Sequence, residues 1–135
     1  MSAGQRAVAA ARGAIGARFR LHGRDPATGL DCVGLAALAL AAEGFVGAVP
    51  SGYALRTGDG GRVRRLLLAA GLREVTGARA GDLLLLRTGP GQLHFAIQTE
   101  GGIVHADAML RRVVERPGSC WPVIGRWRVA GQGED

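Results

Sequence analysis

The run from Cys32 to Ala42, CVGLAALALAA, is apolar or small at every position, so a helix made from it has no face to offer to water. Such a helix is stable only when other elements surround it. Asp31 precedes it as an N-cap, and Glu43-Gly44 closes it. The rest of the chain must supply the cover. Upstream, Val8, Ala11, Ile15 and Phe19 recur at helical spacing and predict a helix from about Gln5 to Arg18, although Gly13 and Gly16 weaken it. HGRDPATG then reads as a turn, and FVGAVPSGYALRTGDGG as a loop. RVRRLLLAAGL reads as a short amphipathic helix closed by Gly71. After Ala80 the pattern changes to glycine-punctuated strands, DLLLLR, HFAIQTE, IVHADA, RRVVER and IGRWRV, which predict a mostly antiparallel meander. Helices first and strands second is the order of an α+β domain, with the apolar helix lying on one face of a five- to six-stranded sheet.

At 135 residues the chain suits one domain, residues 1–135, with 131–135 reading as a frayed tail. No apolar run approaches the roughly 18 to 20 residues needed to span a bilayer, so a soluble protein without membrane insertion is expected. Arg12 interrupts the early Ala/Val stretch too soon for a signal-peptide core, which predicts synthesis in the cytoplasm without a signal peptide. All 17 basic residues are arginine, and the net charge of +6 favours anionic partners. The arginines are scattered apart from Arg62/Arg64/Arg65 and Arg111/Arg112, and aromatic residues are few, which argues against a nucleic-acid module. Cys32 and Cys120 lack metal-ligand spacing and read as free thiols, Cys120 as structural.

In the first turn of its helix, Cys32 meets unpaired backbone N–H groups and the positive end of the helix dipole. Both favour a thiolate and predict a lowered pKa. A cysteine nucleophile needs an imidazole, and two of the three histidines, His94 and His105, flank one predicted hairpin. With Gly101-Gly102 as the turn, both histidines project from the same sheet face, but four residues apart along the ladder, about 13 Å in ideal strands. A turn at Glu100-Gly101 instead brings Asp107 opposite His94. Either His105 or Asp107 is therefore available to orient His94. Asp82, after Gly81 and before a strand, reads as a turn residue rather than a catalytic acid.

Together, DCVGL on a helix, then GDLLLL, then HFAIQTEGGIVHA resemble the NlpC-type cell-wall peptidases, papain-like cysteine enzymes with a compact α+β domain. The resemblance runs from about Phe19 to Ala106. It implies Cys32 as nucleophile, His94 as general base and His105 as the group that orients it, with the backbone N–H of Cys32 helping to hold the oxyanion. It implies no metal and no cofactor. The implied substrates are peptidoglycan stem peptides, often cut between D-glutamate and a diamino acid. The chain is most similar to peptidase modules of phage tails and gene transfer particles, which implies tail proteins as partners and action in the periplasm of a target cell.

The chain departs from the family pattern at two positions. Phe19 stands where the family usually has a pocket tyrosine, and Val33 stands where a serine follows the cysteine. Phe19, Val33, Asp31 and the nearby His22 are therefore the candidate substrate-binding residues. Two other functions are compatible with the sequence: a catalytically silent structural tail subunit of the same fold, and a basic binding module for anionic polymers.

Overall fold

A computed structural model describes residues 1–49, 53–118 and 121–130. Cys120 and the expected tail from Gly131 to Asp135 lie outside the described residues. Helix α1 (Gln5–Gly13) is followed by a short hairpin, β1 (Arg24–Asp25) and β2 (Gly29–Leu30), and by the apolar helix α2 (Cys32–Ala42). Two further helices, α3 (Tyr53–Arg56) and α4 (Gly60–Ala69), lead into strands β3 (Leu72–Val75), β4 (Leu83–Gly89), β5 (Gln92–Gln98), β6 (Gly102–Asp107), β7 (Arg112–Pro117) and β8 (Val123–Val129). The architecture is α+β, with helices packed on a six-stranded antiparallel sheet.

Helix α2 is covered as its composition requires: Leu35, Ala36, Ala39 and Leu40 are buried among α1 and the sheet. Its far end also holds α1 in place. The Glu43 carboxylate accepts the Ala7 N–H at 2.9 Å, one of the donors that the first turn of α1 leaves without a helical partner. Helix α1 itself stops at Gly13 rather than Arg18. Gly16 takes a positive φ of 90°, and the following residues bond to other segments instead of extending the helix. Phe19 N–H reaches Arg111 O at 2.9 Å and Arg20 N–H reaches Leu30 O at 3.1 Å. Ile15 is consequently exposed, off the apolar stripe to which its spacing assigned it.

The strands do not form a simple meander. Their order is β3-β8-β4-β5-β6-β7, so the last strand returns to lie between β3 and β4. Both neighbours of β4 are therefore in place, which explains the unbroken DLLLL: Leu83 and Leu85 face the helices, while Leu84 and Leu86 pack with Ala96 and Ile103 on the other face. Asp82, at the start of β4, is fully buried. It forms the expected turn, accepting the Arg79 N–H at 2.9 Å, and also binds two arginines of the returning strand, Arg126 at 2.8 Å and Arg128 at 2.6 Å.

Gly34, the fourth residue of DCVGL, has a steric reason. A Cβ there would lie 2.1 Å from the carbonyl oxygen of Gly23, in the loop that crosses the start of α2. Gly34→Ala is expected to push that loop off the helix and to destabilise the fold by about 1–3 kcal/mol. Chemical denaturation measures the loss, and an unchanged midpoint would contradict the contact.

Candidate active site

Asp31 caps α2 from an extended conformation and gathers the loop before it. Its Oδ1 accepts the Gly34 N–H at 2.9 Å and an Arg24 guanidinium N–H at 2.8 Å; its Oδ2 accepts the His22 N–H at 2.8 Å. The carboxylate lines the cleft, but these bonds make it the anchor of the loop. His22 contributes through its backbone, held at a positive φ of 63°, while the residue is exposed and does not line the cleft.

The hairpin joining β5 and β6 turns at Glu100-Gly101. Gln98 pairs with Ile103, and the Thr99 N–H donates to Gly102 O at 2.8 Å. This is the second of the two registers open to the sequence. Continued along the strands, it sets His105 opposite Ala96, one diagonal step from His94, which removes the 13 Å separation of the other register. The paired ladder ends at Ile97↔Val104, and α2 packs against both β5 and β6. His94 Nε2 lies 3.0 Å from His105 Nδ1. On its other side, His105 Nε2 is buried without a hydrogen-bond partner among the described residues and faces Asp107 Oδ2 at 3.9 Å. The expected alternatives are thus arranged in series: His105 touches His94, and Asp107 stands behind His105.

The sequence reading did not single out Trp121. It stands edge-on to both histidines, with ring centroids 6.3 Å from His94 and 5.4 Å from His105. The guanidinium of Arg116 lies over its ring at 5.3 Å. The only sequence signal was a tryptophan in an aromatic-poor chain.

The protonation states differ from the sequence expectation. Cys32 is partly exposed on the cleft wall, yet its thiol is pushed up to about 11, chiefly by burial. The Phe95 backbone N–H opposes that rise, the Asp31 charge adds to it, and Arg24 opposes it more weakly. A rise of this size corresponds to about 3 kcal/mol, whereas a helix terminus contributes about 0.3–1 kcal/mol at an ordinary site. Desolvation therefore outweighs the dipole. Burial likewise pushes His94 down to about 4; the neighbouring His105 lowers it further, while Asp107 and Asp31 pull it back up. His105 is lowered by burial, with Asp107 raising and Arg116 lowering it. At neutral pH the resting site is therefore a thiol beside two neutral imidazoles.

A kinetic consequence follows. In a Cys120→Ser background, alkylation of Cys32 by iodoacetamide at pH 7–8 is expected to run about a hundredfold slower than in the unfolded chain, because the thiol sits about two units higher. The rate should keep climbing through pH 10, since the thiolate fraction grows until pH exceeds the folded pKa. A plateau near pH 8 would refute the buried-thiol assignment.

Cys32, His94 and His105 line one open cleft of about 930 Å³. Phe19 forms part of its wall and packs partly buried against the core. Val33 touches the cleft but is only 2% exposed and belongs to the core, so little of its side chain is available to a ligand. The outer lip is apolar: Leu21, Leu110 and Met109 are exposed there, Met109 to 91%. The Asp107 side chain orders that lip by accepting the N–H groups of Met109 and Leu110 at 2.8 and 3.0 Å.

No protein-family model matches the chain, and no curated protein matches it in sequence. Solved structures do. The NlpC/p60 domain of the peptidoglycan hydrolase SagA is 30% identical and aligns over 84% of this chain and 88% of that one, with a TM-score of 0.58. A Staphylococcus aureus protein described as similar to lipoprotein, of the NLP/P60 family, is 25% identical over 93% of this chain, with a TM-score of 0.59. This chain spans 40% of that longer protein. With the SagA domain matched along nearly its whole length, and with the cysteine at a helix start and a paired histidine sharing one cleft, the chain belongs to the NlpC/P60 family.

Proposed function

We propose that the protein is a cysteine endopeptidase that hydrolyses amide bonds in peptidoglycan stem peptides. The observation that carries this reading is the 3.0 Å bond between His94 and His105 in the cleft that also holds Cys32. It leaves Nδ1 as the nitrogen of the His94 ring that His105 does not engage. Asp107 favours the His105 tautomer with its proton on Nε2, so His105 Nδ1 is an acceptor and His94 donates to it from Nε2. Nδ1 of His94 then carries a lone pair and can act as base.

In the proposed cycle the Cys32 thiol loses its proton to His94 as sulfur attacks the amide carbon. Attack and proton transfer are coupled because neither ion is stable alone at neutral pH. The N–H groups of Cys32 and Val33, which the first helical turn leaves unpaired, stabilise the oxyanion. His94 passes the proton to the leaving amine, and water releases the acyl-enzyme.

The test is incubation with purified stem peptides of several chemistries, following new amines by mass spectrometry. Cleavage blocked by a thiol-directed inhibitor supports the reading; no cleavage of any of them overturns it. Asp107→Asn is a sharper probe of the relay, because asparagine keeps an acceptor for the Met109 and Leu110 N–H groups. It is expected to lower kcat about 10–100-fold, the usual loss for a group acting through another, with an unchanged melting temperature. An unaltered kcat would remove Asp107 from the relay. Service within a phage-like particle rests on the sequence resemblance alone, and co-purification with tail particles is its test.

A further inference from the structure

Beyond the wall formed by Phe19, Ala108 and Leu110, which also line the catalytic cleft, lies a second open concavity of about 600 Å³. Its remaining lining is Gly16, Arg18, Arg111 and Arg112. Three features at this spot run against local stability. Arg18 and Arg112 are directly opposed as antiparallel bridge partners, a like-charge pairing that destabilises. Arg111 is held at a positive φ of 62°, where glycine is favoured, by its carbonyl's bond to the Phe19 N–H. None of the three guanidiniums has a carboxylate partner among the described residues, although other arginines of the chain, such as Arg12, Arg24 and Arg126, do.

Three cations without a carboxylate partner among the described residues around one concavity, two of them directly opposed and the third at a disfavoured φ, mark a place where a ligand supplies the missing charge. We infer that Arg18, Arg111 and Arg112 form a carboxylate subsite adjoining the catalytic cleft, and that it holds a free carboxylate of the peptide being cut. The inference rests on the proposed function. Guanidiniums suit this role because each presents a planar fork that matches a carboxylate. The carboxylate of the peptide itself is favoured over a separate anionic polymer because the two cavities share a wall, so one ligand reaches both. Phe19 then separates the reacting amide from the charged end of the same molecule.

The experiment uses Cys32→Ala protein, which binds without turnover, and a stem peptide in two forms, with free carboxylates and with those carboxylates amidated. The acid form is expected to bind about tenfold tighter at low salt, a preference that shrinks as salt screens the arginines. An Arg18→Gln/Arg112→Gln variant should lose the preference while melting no lower than its parent, since it removes a like-charge pair. Arg111→Gly should raise the melting temperature and weaken the preference. Equal binding of acid and amide, or a preference that survives in the double variant, overturns the subsite and leaves the peptide reading of the cleft standing. No binding of either form overturns both. Inorganic phosphate competing more strongly than the peptide acid, with the same loss in the double variant, overturns the carboxylate in favour of a phosphate-bearing polymer.

Discussion

Cys32→Ala is expected to abolish amide hydrolysis, and His94→Ala to lower turnover nearly as far, each by about 10⁴- to 10⁶-fold. The size of both effects follows from the resting protonation. A thiol held near 11 and an imidazole held near 4 are each inert alone at neutral pH. In the proposed cycle, proton transfer between them is coupled to attack, so each needs the other. The two losses should not add: a Cys32→Ala/His94→Ala protein is expected to be no slower than either single variant, because the pair acts as one unit. Amine release from a defined stem peptide, read as kcat, checks this. A Cys32→Ala protein that still turns over at a sizeable fraction of the wild-type rate would sink the assignment. Absence of turnover in the wild-type protein would instead favour a fold kept for assembly or for polymer binding.

Asp82→Ala is expected to destabilise the fold by about 3–5 kcal/mol, the loss when one member of a buried ionic cluster is removed. Arg126 and Arg128 would then lack their shared counter-ion, and the Arg79 N–H would lose its acceptor. Arg126 also donates to Gln98 Oε1 at 2.6 Å, and Arg128 to the carbonyl oxygen of Gly77, so the damage spreads from β4 to β5, β8 and the turn before Asp82. A drop of that size lowers the melting temperature of a chain this long by roughly 10–20 °C. Asp82→Asn should lose less, since an amide oxygen can still accept from Arg79. The catalytic constant of whatever fraction remains folded should be unchanged. A large fall in kcat with an intact melting curve would instead place Asp82 in the chemistry.

Much of the local structure was legible because it depends on neighbours in sequence. The bounds of α2, the Asp31 cap and the strand character of DLLLL and HFAIQ follow from periodicity, capping chemistry and glycine spacing. The order Cys32, His94, His105 in the sequence also carried the resemblance to the family. Relations between distant segments were not legible. IGRWRV reads equally well as the last strand of a meander; its insertion between β3 and β4 depends on Asp82 pairing with Arg126 and Arg128, more than 40 positions away. The helical spacing of Ile15 and Phe19 was real, but hydrogen bonds from Phe19 to Arg111 and from Arg20 to Leu30 overrode it.

The same division runs through the site. The sequence by itself determined which groups are present: a cysteine opening a helix that has to be buried, two histidines flanking one hairpin, and a phenylalanine and a valine where hydroxyls were expected. Only the tertiary structure decided their state. It chose the Glu100-Gly101 turn, and with it the contact between His94 and His105, because hairpin register depends on the turn and on both strands together. It also reversed the predicted shift of the Cys32 thiol. A helix dipole is a local property that can be read from sequence, whereas desolvation is set by everything that packs around the sulfur, and here desolvation is the larger effect.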